Sequence, residues 1–201
     1  MDNKIPTKGA IIMSCARNVK TKANYHARYL NLFVTGKCSP DLLAHELFPN
    51  AKEITESYAM FEATHHLPEG YEWNREGVAV VVVGDGHKPR TAAMFCHRTA
   101  WEALSVDPAL APRSYPFKRF TMNRNKVEDI KVEWGGPVVI VLPHSHAKIA
   151  DCLRNITGTK RAVITMDCCV QNIIPGRAPD IEYEDPDVWS PKNIVRVWRD
   201  V

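Results

Sequence analysis

The sequence contains no long hydrophobic run. The longest, Val78–Val83, is six residues, against the roughly 20 that a membrane-spanning helix requires. Neither charge is in marked excess. Twenty-six Lys and Arg stand against 23 Asp and Glu, a formal +3 over 201 residues, so composition alone carries no nucleic-acid footprint. No C-x-x-C pair occurs among Cys15, Cys38, Cys96, Cys152, Cys168 and Cys169, which removes the zinc-ribbon and thioredoxin-type readings. Their spacing is not that of a disulfide scaffold, and several lie in apolar segments where a thiol acts as a small hydrophobe. Reduced thiols in a cytoplasmic protein are therefore expected. The N-terminal stretch has too small an apolar patch for a secretory signal. Collagenous, coiled-coil, transmembrane and disordered classes fall away. The remainder, 45% apolar and 24% charged, is the composition of a globular chain with one substantial core.

The first 70 residues read as helical and as a segment packing on the main domain, residues 71–201. Val19, Ala23, Ala27, Leu30 and Phe33 recur near helical spacing within 16–33, and Gly36 stops them as a C-cap glycine would. Ser39-Pro40 predicts a second helix with Ser39 as N-cap. A third is expected over 52–67, turning Ile54, Tyr58, Met60 and Phe61 inward and ending at Pro68-Glu69-Gly70. Arg17, Lys20, Lys22 and Arg28 give the first helix a modest basic face, a surface for an RNA or protein partner if it is not simply solvated.

From Gly77 the pattern changes. Val78–Val83 is a continuous apolar run ending in Gly84-Asp85-Gly86, as in a strand covered on both faces. A helix opens near Pro89, and further strands are expected at Glu102–Val106, Phe117–Met122, Val138–Leu142 and Arg161–Met166. A short helix is expected over 147–156. After Ile181 and Tyr183, an Asp/Pro-rich connection leads to Ile194, Val195, Val197 and Trp198, which reads as an antiparallel hairpin. Alternating strands and helices imply an α/β fold: a Rossmann-like, mainly parallel sheet with helices on both faces. Ligands bind such sheets beyond the carboxyl ends of the strands, near the point where strand order reverses.

The residues at those ends carry the chemistry. Gly84 and Gly86 permit a tight turn and close approach of a ligand to the backbone. Lys88, Arg90 and Thr91 stand where the next helix presents free N–H groups and a positive dipole end, an arrangement suited to a carboxylate or phosphate. Asp107 closes the next strand about 20 residues on, a position from which an acidic group hydrogen-bonds ribose hydroxyls. The full glycine fingerprint is missing, and the bland alternative is a plain turn with a capping Asp107 and solvated cations.

Val83-Gly84-Asp85-Gly86 followed by Asp107 resembles the cofactor-binding half of class I, Rossmann-like S-adenosylmethionine-dependent methyltransferases. The resemblance covers residues 70–201 in pattern and implies S-adenosylmethionine as cofactor. Gly84, Asp85, Gly86, Arg90 and Thr91 would then serve its methionine end, Asp107 its ribose and Asp129 the adenine side. Pro143-His144-Ser145-His146, after the fourth strand, would place His144 and His146 at the mouth of the site to deprotonate or position an acceptor. Two departures are visible. Lys88-Pro89-Arg90 replaces the third glycine of the loop, which suits a phosphate as well as a carboxylate. No Asn/Asp-Pro-Pro-aromatic follows the fourth strand, which argues against methylation of a base's exocyclic amine or of glutamine. A non-catalytic module binding protein or RNA, and an enzyme acting on another nucleotide, are the competing readings.

His144 and His146, at i and i+2, would share one face of a strand, but two histidines alone rarely hold a metal and no Glu or Cys ligand stands at zinc-like spacing. No metal is expected. Adjacent Cys168 and Cys169 would point to opposite faces if they lay in a strand.

Overall fold

Apolar runs without polar alternation need cover on both faces, and the sheet they build has it. The computed structural model describes residues 26–169 and 172–201. Five parallel strands come first: β1 (Ala79–Val83), β2 (Glu102–Val106), β3 (Phe120–Asn123), β4 (Val138–Pro143) and β5 (Arg161–Met166). The hairpin β6 (Ile181–Glu184) and β7 (Ile194–Trp198) completes a seven-stranded sheet of order β3-β2-β1-β4-β5-β7-β6. β7 runs antiparallel to β5 and to β6. The order reverses between β1 and β4, so the switch point lies between Val83 and Pro143.

Successive side chains of each strand feed two cores. Val80, Val82, Val139, Val141 and Ile164 join the helices α1 (Arg28–Val34), α2 (Ser39–Ala44), α3 (Ala51–Glu62) and α4 (Arg90–Arg98) on one face. Val81, Val83, Ile140, Leu142 and Val163 meet α5 (Ile149–Asn155) and the short turn Val127–Asp129 on the other. Burying each valine of β1 contributes roughly 1.5–3 kcal/mol. The fold class is the expected one: a Rossmann-like, mainly parallel sheet with helices on both faces, a C-terminal antiparallel hairpin and helices ahead of the sheet.

The helical residues ahead of β1 are wedged against the sheet. α3 buries seven consecutive residues, Thr55 to Phe61, because α1 and α4 flank it while the sheet lies beneath. Its start is set by Asn50, whose side chain accepts the Glu53 N–H at 3.0 Å. Ser39, expected as an N-cap, is the first helical residue of α2 and turns its hydroxyl back to the Phe33 carbonyl. The Ser39 side chain joins the two helices across their connection instead of capping. Arg17, Lys20 and Lys22 of the expected basic face lie outside the described residues. Arg28 is ion-paired with Glu62 at 2.9 Å. Among the described residues no helix is long and apolar enough to cross a membrane.

Candidate functional site

The carboxyl ends of β1, β2, β4 and β5 bring Gly84, Asp107, His144 and Asp167 to one edge of the sheet. Two compartments open there, sharing Gly84, Gly86 and His144. The first, about 510 Å³, is lined by Val83, Val106, Val127 and Ala147 together with Asp107, Glu128, Ser145 and His146. The second, about 410 Å³, lies under α3 and is lined by Glu53, Glu56, Arg90, Cys168, Cys169 and Lys192 among others. Both fall in the size range of small-molecule sites.

Gly84 adopts φ +80°, and a Cβ there would sit 2.3 Å from Ser145 Oγ and 2.7 Å from Ser145 Cβ. The glycine is needed because the β4 loop packs directly on the β1 loop, so the close approach is by Ser145 and not by a ligand. Gly86 is also left-handed, at φ +79°, and donates its N–H to Asp107 Oδ2 at 2.8 Å. Asp107 Oδ1 accepts the Ala109 N–H at 2.7 Å. Two of roughly four lone-pair positions are thus occupied, and the carboxylate, partly exposed beside the first compartment, retains acceptor capacity for a diol.

The local anion site expected around α4 is filled by the protein itself. Asp85 is buried and accepts the N–H groups of Thr91 at 2.9 Å and Ala92 at 3.1 Å, with the Ser105 hydroxyl at 3.0 Å. Burial pushes its carboxyl up, against the pull of those hydrogen bonds and of Arg90. The Arg90 guanidinium is held by Glu53 at 2.7 Å, and Thr91 Oγ1 meets Ser57 Oγ at 3.0 Å. Lys88 donates to the Glu46 carbonyl. Gly84, Asp85 and Thr91 therefore shape the loop and secure α4, while the free N–H groups and positive charge predicted for a ligand are internally neutralised. Asp129 is exposed and does not line the first compartment; its neighbour Glu128 does.

His144 stands between the compartments. Its backbone is left-handed at φ +53°, a conformation that costs a non-glycine residue of order 1 kcal/mol or more. The ring meets the Asp167 carbonyl through Nδ1 and Glu56 Oε1 through Nε2 at 2.8 Å. Glu56, 5% exposed, is also ion-paired with Lys52 Nζ at 2.6 Å. Burial alone would raise its carboxyl, but hydrogen bonds and charge from His144 and Lys52 outweigh it and hold Glu56 below the usual carboxylate range. On the far side Arg196 of β7, buried, pairs with both Asp167 and Glu182. One polar chain thus runs Glu182–Arg196–Asp167–His144–Glu56–Lys52, from the hairpin to α3.

Glu56 was not singled out in the sequence. It stands between Thr55 and Ser57 in a helix that also carries Lys52, Glu53 and Glu62, so nothing local in the sequence marks it as buried. Cys168 and Cys169 were missed as well. They follow β5 and lie in a loop, so their side chains are not sent to opposite faces. His146, exposed, has Nε2 at 3.1 Å from Cys168 Sγ and 3.0 Å from Cys169 Sγ. The two predicted histidines share the site's rim with different neighbours.

No protein-family model and no curated protein sequence matches the chain. Among solved structures, a variant of MtNAS in complex with S-adenosylmethionine aligns with a TM-score of 0.50 at 12% identity, over 87% of this chain and 71% of that one. A cyclopropane-fatty-acyl-phospholipid synthase-like protein from Lactobacillus casei aligns with a TM-score of 0.40 at 13% identity over 60% of this chain. The chain spans about half of that protein, 54% of its length. The likeness to MtNAS is one of fold.

Proposed function

We propose that the protein binds S-adenosylmethionine in the first compartment and is a methyltransferase whose acceptor enters the second. The observation that carries this reading is Asp107: an acidic residue at the carboxyl end of β2, hydrogen-bonded to the Gly86 N–H, beside the switch point of the sheet. Its remaining lone pairs suit a ribose diol, the valines Val83, Val106 and Val127 suit an apolar ring face, and Glu128 offers an acceptor for an exocyclic amine. The MtNAS structure, bound to the same ligand, shares the fold.

When bound, S-adenosylmethionine supplies a methyl group already activated by its sulfonium. The chain's own contribution is alignment of the acceptor for in-line attack. Gly84 and Gly86 keep the boundary between the compartments thin. Since Arg90 and the α4 N–H groups are engaged internally, the methionine end would cross the Gly84–Gly86 boundary from the first compartment, with its carboxylate at Lys192 on the exposed rim of the second. Glu56, held ionised by Lys52 and His144, is a weak proton acceptor but a strong hydrogen-bond acceptor. It would orient an acceptor N–H or O–H, with His144 fixing the carboxylate and His146 standing at the mouth.

The same internal neutralisation disfavours a phosphate-bearing nucleotide, whose charge would find no unpaired helix terminus here. The test is a thermal-shift screen in which S-adenosylmethionine and S-adenosylhomocysteine stabilise the chain and nucleotide triphosphates do not. Asp107→Ala should abolish the shift. A shift with triphosphates alone would overturn the assignment.

A further inference from the structure

Beyond His146 standing at the mouth, the proposed methyl transfer gives the cluster His146, Cys168 and Cys169 no role, yet three metal-ligating atoms converge there from two separate loops. We propose that it is a binding site for a soft divalent cation, Zn2+, with Nε2 of His146 and the two thiolates as its protein ligands. The inference does not depend on the identity of the cofactor.

Geometry is the first argument. Zn–S bonds of about 2.3 Å and a Zn–N bond of about 2.0–2.1 Å at tetrahedral angles put the sulfurs about 3.8 Å apart and each sulfur about 3.6 Å from the nitrogen. The sulfurs stand 3.6 Å apart, and Nε2 is 3.1 and 3.0 Å from them. The thiols are already at ligand separation; the imidazole has to withdraw by about half an ångström, which an exposed side chain can do.

Anchoring of the described residues that flank the ligands is the second. The loop bearing Cys168 and Cys169 is fixed on one side by Asp167, whose N–H donates to the Ile194 carbonyl at 3.1 Å and whose carboxylate pairs with buried Arg196. On the other side Asn172, buried, donates to the Ser145 carbonyl at 2.7 Å, one residue from His146. The two ligand-bearing loops are therefore tied to each other before any ion arrives, which lowers the entropy cost of assembling the site. Donor chemistry is the third: two thiolates and an imidazole favour zinc over calcium or magnesium.

Three protein ligands leave one tetrahedral position open, the arrangement of a reactive zinc and not of a closed structural one. Cys168 and Cys169 line the second compartment, so the open position adjoins that space and would take a water, thiol or hydroxyl ligand from it.

The test uses the full chain, stripped with a chelator and kept reduced with a phosphine. Zn2+ is titrated in competition with a chromophoric chelator, and Co2+ uptake is followed by absorbance. The expected result is one ion per chain and a thiolate-to-cobalt charge-transfer band in the near ultraviolet. Cys168→Ser, Cys169→Ser and His146→Gln should each weaken binding by about 100-fold, and Cys38→Ser should leave it unchanged. Absence of the cobalt band in the wild-type chain overturns the proposal whatever the variants do. So does zinc affinity that the Cys168→Ser/Cys169→Ser double variant retains. Neither outcome bears on S-adenosylhomocysteine binding, which is measured separately on the metal-free chain.

Discussion

Gly84→Ala isolates the contact that joins the β1 and β4 loops. The new Cβ would fall 2.3 Å from Ser145 Oγ, 2.7 Å from Ser145 Cβ and 3.1 Å from Ser145 Cα. Rotating the hydroxyl away relieves only the first of these. The backbone at φ +80° costs an L-residue about 1–2 kcal/mol, and overpacking a site that cannot move adds about 1–3 kcal/mol. The sum, roughly 2–5 kcal/mol, corresponds to a fall in Tm of about 5–15 °C for a chain of this size. In a Ser145→Gly background both side-chain clashes disappear, so the same substitution should cost about 1–2 kcal/mol. Urea unfolding of the four proteins measures the coupling. Equal costs in the two backgrounds would refute the claim that Gly84 is required by Ser145, and would return the position to a ligand-driven explanation. Gly86→Ala is the internal control: its Cβ meets nothing closer than Arg90 Nη2 at 3.4 Å, so only the backbone cost of about 1–2 kcal/mol is expected.

Other perturbations follow from the same geometry. Asp85→Ala strips acceptors from two helix N–H groups and a buried hydroxyl and should cost about 2–4 kcal/mol in urea unfolding; a loss below about 0.5 kcal/mol would contradict its capping role. Tyr29→Phe leaves Asp185 without the phenol it accepts from at 2.7 Å and should cost about 1–3 kcal/mol. Glu56 has a folded pKa below its unfolded value, so its stabilisation is present above the unfolded value of about 4.3 and is lost as pH falls through the folded one. Glu56→Gln should flatten that acid limb of the stability curve, and an unchanged limb would sink the assignment. Asp85 has the opposite sign: its folded pKa is raised, so its relative stabilisation is present at lower pH and is lost as pH rises through the folded value. Asp85→Asn should remove that opposing contribution.

Much of the scaffold was legible because strands buried on both faces leave a plain mark. Val78–Val83 stopped by Gly84, Glu102–Val106 stopped by Asp107-Pro108, and Arg161–Met166 all lie where expected, within a residue. The alternation of Ile194–Trp198 likewise marked the closing hairpin. Phe117–Met122 was misplaced by up to three residues, since β3 is a short edge strand, Phe120–Asn123, with no fully buried position.

Site chemistry was less legible, because partners separated in sequence decide what a charged residue can do. Arg90 reads as an anion ligand until Glu53, from α3, is found against it. Asp85 reads as part of a cofactor loop until α4 turns its first N–H groups onto that carboxylate. Glu56 lies 88 residues from His144, and no local spacing links them. Cys168 and Cys169 converge on His146 because the chain leaves β5 before them, which a strand-based alternation argument cannot anticipate.

Occupancy of the first compartment decides the proposed function. A crystal structure grown with S-adenosylhomocysteine tests it most directly. Ligand is expected between Gly84 and Glu128, its ribose hydroxyls on Asp107 and its purine against Val106 and Val127. Ligand instead in the larger cleft of about 750 Å³ at the opposite end of the strands, between Gly77, Trp134 and Lys160, would contradict it. So would a chain that remains ligand-free at saturating concentration.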